Sequence, residues 1–290
     1  MNIKDLKYFH RLARQQNFSQ VADSFHVSQP TITMAIKRLE NDYGVPLIIR
    51  DRSHQALELT SFGRQFDHHV AAILHELKLA SKEAQYECQE QVRFGLPPII
   101  GSYYFPSLVS QLLQHQLLTR LQIVEQGSNE VLRQLQQGDV EIALLGSLAP
   151  LTYQRLVAST IATSPFGILV SLKNPLAQKK QGVFFKDLAG QLFVGLNERF
   201  IHNQAFHQVS RAAHLRSQVI YRTADVHVLA ALVAENIGIA FLTSLAAHIN
   251  PDVVFIPLLD EQQPLFYISK VRRRSTVLEG YKQDLWEQLG

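Results

Sequence analysis

The sequence predicts a multidomain protein with a small, α-rich N-terminal domain, one long linker helix and a larger α/β domain of two lobes. Three observations predict this fold class. Residues 1–60 hold three short helical patterns and then two short strand patterns, residues 61–88 hold one long helical pattern, and residues 92–290 alternate short apolar runs with helices. A chain of 290 residues is long enough for this division.

Composition narrows the class of protein. A hydrophobic share of 46% is typical of a globular chain, and no apolar run approaches the roughly 18 residues that cross a bilayer. The first ten residues alternate charged with apolar side chains, unlike a signal peptide. We therefore expect a cytoplasmic protein with no membrane partner. The one cysteine, Cys88, is expected to be an inert thiol.

Two short helices are predicted at the N-terminus. Leu6, Phe9 and Leu12 recur at helical spacing and predict an amphipathic first helix. Ser19 is the predicted N-cap of the second helix, which ends in a tight turn after His26.

The third helix is the candidate DNA-reading element. Ser28 is its predicted N-cap, and Ile32, Ala35, Ile36 and Leu39 form a stripe that faces the core. The side chains elsewhere on the helix can contact a base edge, a thymine methyl group or a phosphate, as a recognition helix does in the major groove. The candidate DNA contacts on this helix are Ser28, Gln29, Pro30, Thr31, Thr33, Met34, Lys37 and Arg38.

A hairpin is predicted directly after this helix. Gly44 ends the helix, and residues 46–50 and 56–59 read as two strands. A hairpin in this place is the wing of a winged helix-turn-helix, and it puts Arg50 and Arg52 within reach of phosphates or of an adjacent minor groove. From the three helices alone, a three-helix bundle with a purely structural role is an alternative to a DNA-binding domain.

The string AxxxxVSQPTITxxIxRLExxxGxPLxxR…LExTxxG, read from Ala22 to Gly63, resembles the signature of LysR-type transcriptional regulators. Two positions depart from it. Ile48 stands where the family usually carries Phe, which we expect to be a packing change. Met34 replaces a residue that is more often polar, and this leaves the operator sequence open.

The resemblance implies a DNA-binding regulator controlled by a small-molecule effector. It also implies a periplasmic-binding-protein arrangement of the α/β domain, with lobe I formed by about 92–162 and 268–290 and lobe II by about 163–267. A tetramer built as a dimer of dimers is implied as well. The expected partners are double-stranded DNA, the effector, RNA polymerase and further copies of the chain.

The linker pattern predicts a coiled coil that begins after Thr60, a predicted N-cap. Its apolar positions follow heptad spacing, so the helix is expected to pair with a copy of itself. A dimer would read an imperfect palindrome. A helix that packs on its own domain stays an alternative. The seam consists of Phe66, Val70, Ile73, Leu77, Ala80 and Ala84.

The candidate effector site lies at the carboxyl ends of the predicted α/β strands. Helix N-termini at such ends present free N–H groups, and these suit a compact organic anion. Ile99 stands where many family members have Ser or Thr, and Ser128 and Thr223 are alternatively no more than helix caps. The candidate effector contacts are Ile99, Ser102, Gly127, Ser128, Gly146, Ser147, Asn197, Phe200 and Thr223.

Two other functions compete with this interpretation. An enzyme would use a similar two-lobed cleft, but the chain has no GxGxxG, GxxxxGK[ST], GxSxG or HExxH motif. A solute-binding protein would leave residues 1–60 without a role. We therefore expect a regulator and not an enzyme, with no cofactor and no metal site.

Overall fold

The computed structural model describes residues 2–49 and 57–290, and tertiary contacts divide them into two units. The first unit extends to Gln85 and the second begins at Tyr86. The tip of the predicted wing, including Arg50 and Arg52, lies outside the described residues.

The first unit begins with the three predicted helices, α1 (Ile3–Gln15), α2 (Phe18–Ser24) and α3 (Gln29–Tyr43). The predicted cap of α2 is wrong. Asn17 is the N-cap, because its side-chain oxygen accepts a hydrogen bond from the Gln20 N–H at 3.1 Å. Ser19 lies within the first turn of the helix.

One apolar core holds the three helices together. The stripe on α3 is buried as predicted and meets Phe9 of α1 and Val21 of α2. Asp5 is almost fully buried on α1, and its carboxylate accepts two hydrogen bonds from Arg38 on α3, at 2.7 and 3.0 Å. This bidentate pair fixes the angle between α1 and α3.

Two short antiparallel strands, β1 (Ile48–Ile49) and β2 (Glu58–Leu59), form the base of the predicted hairpin. The Thr60 hydroxyl donates to the Pro46 carbonyl at 2.8 Å and accepts from the Gly63 N–H at 2.8 Å. Thr60 therefore caps the following helix, α4 (Ser61–Glu87), as predicted.

The predicted seam of α4 is only partly available to a second chain. Phe66 and Val70 are buried in the core of the first unit, so for these two residues the coiled-coil prediction is wrong. They pack on α1 and α3 because the N-terminal turns of α4 close the open side of that core. Ile73 and Leu77 are 42% and 38% exposed.

The second unit is an α/β domain whose strands and helices follow the predicted alternation. Its strands are β3 (Val92–Gly95), β4 (Leu121–Val124), β5 (Ile142–Ser147), β6 (Leu156–Ser171), β7 (Leu192–Leu196), β8 (Gln218–Thr223), β9 (Ala240–Thr243), β10 (Val253–Pro257) and β11 (Leu265–Arg273). Its helices are α5 (Pro98–Tyr103), α6 (Pro106–Gln114), α7 (Ser128–Gln136), α8 (Ile201–Ala212), α9 (Val226–Ala234) and α10 (Tyr281–Gln288). The sequence predicted one helix near residues 104–116, where α5 is followed by α6.

Two long strands belong to both lobes. β3 pairs in parallel with β4 and β5, whereas β11 runs antiparallel between β5 and β6. The second half of β6 pairs with β9 and β10, and the parallel pair β7 and β8 joins β9 through one bridge. The expected parallel sheet is therefore mixed, because the strands that cross between lobes run antiparallel to their neighbours.

A register shift marks the crossing point of the two lobes. Ala162 faces Ile268, but the next pair is Thr160 with Ser269, so Ile161 has no partner in the ladder. Such a bulge bends a strand and increases its twist. It lies at the residues where the family resemblance implied the crossover.

Gly63 tests the packing of the first unit. A Cβ at this position would lie 2.1 Å from the Leu47 carbonyl oxygen, which belongs to a backbone segment that cannot move freely. We expect Gly63→Ala to lower the free energy of unfolding of this unit by about 1–3 kcal/mol, measured by chemical denaturation. Gln65→Ala, at an exposed site on the same helix, is the control and should change it by under about 0.5 kcal/mol. Equal values for the two variants would contradict this packing.

Candidate functional site

The turn between α2 and α3 sets the recognition helix. His26 takes a left-handed conformation with φ of 55°, and the Val27 N–H returns to the Ala22 carbonyl at 3.0 Å. α2 packs against α3 on one side and α1 packs on another. This arrangement is the helix-turn-helix that the sequence predicted, and it leaves the N-terminal half of α3 at the surface.

Most of the predicted DNA contacts on α3 are exposed. Thr33 is half-buried, and its hydroxyl donates to the Gln29 carbonyl at 3.2 Å. Met34 is 52% exposed, although a side chain of its size and apolarity is usually buried. The other exposed residues of the set are Ser28, Gln29, Pro30, Thr31, Lys37 and Arg38.

Short hydrogen bonds organise the start of α3. Ser28 is the N-cap by position, but its hydroxyl pairs with the Thr31 hydroxyl at 2.9 Å, and no side-chain hydrogen bond to the backbone caps the helix. The Gln29 side-chain oxygen accepts a long hydrogen bond, 3.5 Å, from the Ser19 hydroxyl. The helix therefore begins with polar groups that are preorganised at the surface.

Arg38 has a structural partner that the sequence did not indicate. Its guanidinium is hydrogen-bonded to Asp5, which raises the pKa of Arg38 above its usual value. The charge stays at the surface while the carboxylate orients it. A phosphate contact by Arg38 stays a prediction, as do contacts by Arg50 and Arg52.

Within the second unit, an inner cavity lies between the two lobes. Its volume is about 10 Å³, enough for one water molecule. Four of the predicted effector contacts, Ile99, Gly127, Ser128 and Phe200, line it. The remaining lining residues are Pro97, Ile100, Ile201, His202 and Phe266.

An outer cavity of about 360 Å³ adjoins the inner one on the side of lobe I. Three predicted contacts line it, namely Ser128, Gly146 and Ser147. Ser128 and Ile201 line both cavities, so the two spaces are neighbours. The structure thus brings together six of the nine predicted effector contacts.

The lobe I side of the site is held by two serine hydroxyls. The Ser128 Oγ accepts from the buried Gly146 N–H at 3.0 Å, which ties the start of α7 to the end of β5. The Ser147 hydroxyl donates to the Ala149 carbonyl at 2.7 Å. Gly146 must be glycine here, because a Cβ would lie 2.5 Å from the Phe266 ring.

The other three predicted contacts lie apart from the lining of both cavities. Ser102 is exposed on α5. The Asn197 side-chain oxygen accepts from the Arg199 N–H at 3.1 Å, and the Thr223 hydroxyl accepts from the Asp225 N–H at 3.0 Å. These two side chains stabilise the turns that follow β7 and β8. The alternative that Ser128 and Thr223 are helix caps is wrong, because Gly127 is the N-cap of α7 and Asp225 is the N-cap of α9.

The two lobes are closed on each other. A Cβ on Gly127 of lobe I would lie 2.7 Å from the Arg199 carbonyl oxygen of lobe II. Only glycine allows this approach. Since the inner cavity holds about 10 Å³, a molecule larger than water can enter this cavity only if the lobes separate.

Sequence reasoning missed His202, which is the most unusual polar side chain of the site. It is buried on α8, its ring lies 5.3 Å from the rings of both Phe166 and Phe266, and its Nε2 has no hydrogen-bond partner. Burial lowers the pKa of His202 to about 3. No local pattern could have revealed it, because the two phenylalanines come from distant strands.

Within residues 2–49 and 57–290, no three side chains of the His, Cys, Asp and Glu type gather into a candidate metal site. In the same ranges, each helix is too short or too polar to cross a membrane.

The two units match two descriptions of one protein family. Residues 3–64 match the bacterial regulatory helix-turn-helix protein, lysR family, and residues 87–290 match the LysR substrate binding domain. The chain belongs to the LysR family of transcriptional regulators. It is a DNA-binding regulator with an effector-binding domain and not an enzyme, as the sequence predicted.

Curated and solved relatives cover this LysR regulator from end to end. The malolactic fermentation system transcriptional activator of Lactococcus lactis subsp. lactis is 32% identical over 100% of this chain and 98% of its own. Full-length OxyR from Pseudomonas aeruginosa has the same fold, with a TM-score of 0.56 at 23% identity over 100% of this chain and 93% of its own. Full-length CbnR in complex with its target DNA matches with a TM-score of 0.55 at 19% identity, over 99% of this chain and 98% of its own.

Ser128 tests the geometry of the site. Ser128→Ala removes the acceptor of a buried N–H, so we expect the free energy of unfolding of the second unit to fall by about 1–3 kcal/mol in chemical denaturation. Ser107→Ala is the control, because that hydroxyl bonds an exposed carbonyl three residues away. A Ser128→Ala protein as stable as the control would show that the Gly146 N–H finds another partner.

Proposed function

We propose that this LysR regulator binds an imperfect palindromic operator in the cytoplasm. We also propose that an organic anion enters the cleft between the two lobes and changes how the regulator binds that operator. The exposed N-terminal half of α3 is the single observation that carries the DNA-reading half of this proposal. In this division of the chain, residues 1–60 bind DNA, residues 61–88 join two copies, and residues 92–290 bind the effector.

The side chains of α3 suit the edges of bases. The Gln29 amide can bond adenine at two atoms, and the Thr31 and Met34 side chains can contact a thymine methyl group. Lys37 can reach a phosphate. Met34 in particular gains from such a contact, because half of its side chain is held in water in the free protein.

The exposed part of the α4 seam supports a dimer. Ile73, Leu77, Ala80 and Ala84 recur at spacings of four, three and four residues, and all four are exposed. Two copies joined along this stripe would place two recognition helices on half-sites roughly 34–36 Å apart, or a multiple of that distance. A tetramer and a contact with RNA polymerase complete the proposal.

A small organic acid is the proposed effector class. The N-termini of α7 and α8 come from opposite lobes and meet at the inner cavity, and both ends attract negative charge. The Lactococcus relative is named as the activator of a malolactic fermentation system. Malate and lactate are therefore the first effectors to test.

The end of the linker helix is anchored in lobe I. Lys282 of α10 bonds Glu87, the last residue of α4, at 2.7 Å and the buried Glu141 at 3.1 Å. Burial opposes the charge on Lys282, but the hydrogen bond that it donates to Glu87 and the charge of Glu141 raise its pKa overall. The Arg93 guanidinium also donates to the Tyr86 hydroxyl at 3.1 Å.

This anchor offers a route from the cleft to the DNA. Glu141 lies directly before β5, and Gly146 and Ser147 at the far end of the same strand line the site. A movement of the strand on effector binding would reach the last turn of α4 through Lys282. We propose that this movement changes the spacing or bending of the DNA-bound halves.

Gln29→Ala tests the DNA-reading half of the proposal. Loss of the amide should cost about 1–3 kcal/mol of binding free energy at the operator and leave random DNA bound as before. The measurement is a titration of both DNAs by fluorescence anisotropy at one salt concentration. Gln85→Ala, exposed on α4, is the control and should bind like the wild type. Equal weakening on both DNAs would remove Gln29 from base recognition.

Charged residues in the α4 stripe test the dimer. Ile73→Glu combined with Leu77→Glu places like charges at the proposed seam, so we expect a shift to smaller species in sedimentation velocity and at least a tenfold loss of operator affinity. His68→Glu lies on the opposite face of the helix and serves as the control. An unchanged sedimentation coefficient for the double variant would exclude this stripe as the interface.

A further inference from the structure

We propose that His202 takes up a proton when the cleft binds an organic anion, and that the imidazolium then donates a hydrogen bond from Nε2 to the anion. This inference rests on the proposed effector class and adds the residue that provides the positive charge. The starting observation is a buried nitrogen without a hydrogen-bond partner, in a side chain that lines the inner cavity. An unpartnered buried polar group is costly and is therefore rare in native structures.

The described lining of the two cavities offers an anion no lysine or arginine, although Arg199 lies beside it with its backbone against Gly127. Among the described residues that line the inner and outer cavities, none is Lys, Arg, Asp or Glu. The two helix N-termini provide only partial charges, and in the described chain no side chain caps either of them. A carboxylate brought into this apolar space needs a full positive charge or must lose its own. Of the lining side chains, only His202 can become a cation near neutral pH.

Few charged groups face His202 from the elements around it. β6 and β11 contribute Phe166 and Phe266, and the residues of α5 and α7 at the inner cavity are uncharged. On its other side His202 borders a second space of about 10 Å³, where Arg222 of β8 is the charged lining residue. That guanidinium donates to the Asn203 side chain at 2.6 Å and to the Leu196 carbonyl at 3.3 Å.

The burial of His202 determines how anion affinity depends on pH. In the closed cleft the pKa of His202 lies far below that of a solvated histidine, so the ring is neutral at physiological pH. Opening of the lobes and the approach of a carboxylate both favour the charged form and raise this pKa. The proton comes from the solvent, and no bond of the anion breaks. Anion affinity should therefore increase as the pH falls, by up to tenfold per pH unit below the pKa of the complex.

Isothermal titration calorimetry on the full chain tests this directly. The probes are acetate, lactate, malate and citrate, in MOPS and in imidazole at the same pH, because the two buffers release protons with different heats. We use the range from about pH 6 to about pH 8, where acetate, lactate and malate keep their carboxylates ionised. For the probe that binds, the heat should differ between buffers by an amount that corresponds to as much as one proton taken up. Its affinity should rise toward about pH 6.

Two variants test whether His202 is the residue that takes up the proton. His202→Gln keeps a hydrogen-bonding side chain but cannot gain a charge, so binding should weaken and lose both its buffer and its pH dependence. His207→Gln removes an exposed histidine from the same helix and should behave like the wild type. If His202→Gln does not fold, the wild-type calorimetry decides alone.

The outcomes separate this inference from the proposed function. Binding of a carboxylate without proton uptake, or the same uptake in His202→Gln, overturns the role of His202 and leaves the organic-acid effector in place. Failure of all four probes to bind overturns the effector class and this inference together. Operator binding, measured separately, is independent of both results.

Discussion

The structure of the effector domain depends on one constraint, which is that β6 and β11 are shared by both lobes. Their pairing runs without interruption except at Ile161, where one residue is left out of the ladder. Two strands that cross side by side allow the lobes to rotate but not to separate completely. Phe166 and Phe266 lie on these strands, at the lobe II side of that bulge, and both contact the ring of His202. The connection between the lobes therefore also forms the floor of the cleft.

Glycine is used in this cleft where two backbones or a backbone and a ring must come close. Gly127 allows lobe I to approach the Arg199 carbonyl, and Gly146 leaves space for the Phe266 ring. These contacts reduce the inner cavity between the lobes to about 10 Å³. An effector thus competes with close packing between the lobes, and such competition between two packed states is a physical basis for a switch.

The linker helix has two separate tasks along its length. Its first turns complete the core of the helix-turn-helix through Phe66 and Val70, whereas its middle turns keep Ile73 and Leu77 at the surface. Its last residue is held by Lys282 of the second unit.

The sequence by itself determined the helix-turn-helix, the family and the order of the α/β elements. Helical periodicity and the glycine, proline and serine positions of the signature are local, and the stripe from Ile32 to Leu39 is buried as its spacing predicts. Six of the nine predicted effector contacts line the two cavities, because strand ends and helix starts converge at one edge of such a sheet. Tertiary structure alone decided the burial of His202 and the pairing of Arg38 with Asp5. It also decided that the first part of the α4 seam is buried in the first unit and the rest is exposed. Each of these depends on which distant side chains pack together, and neighbours in space leave no mark on the spacing of residues along the chain.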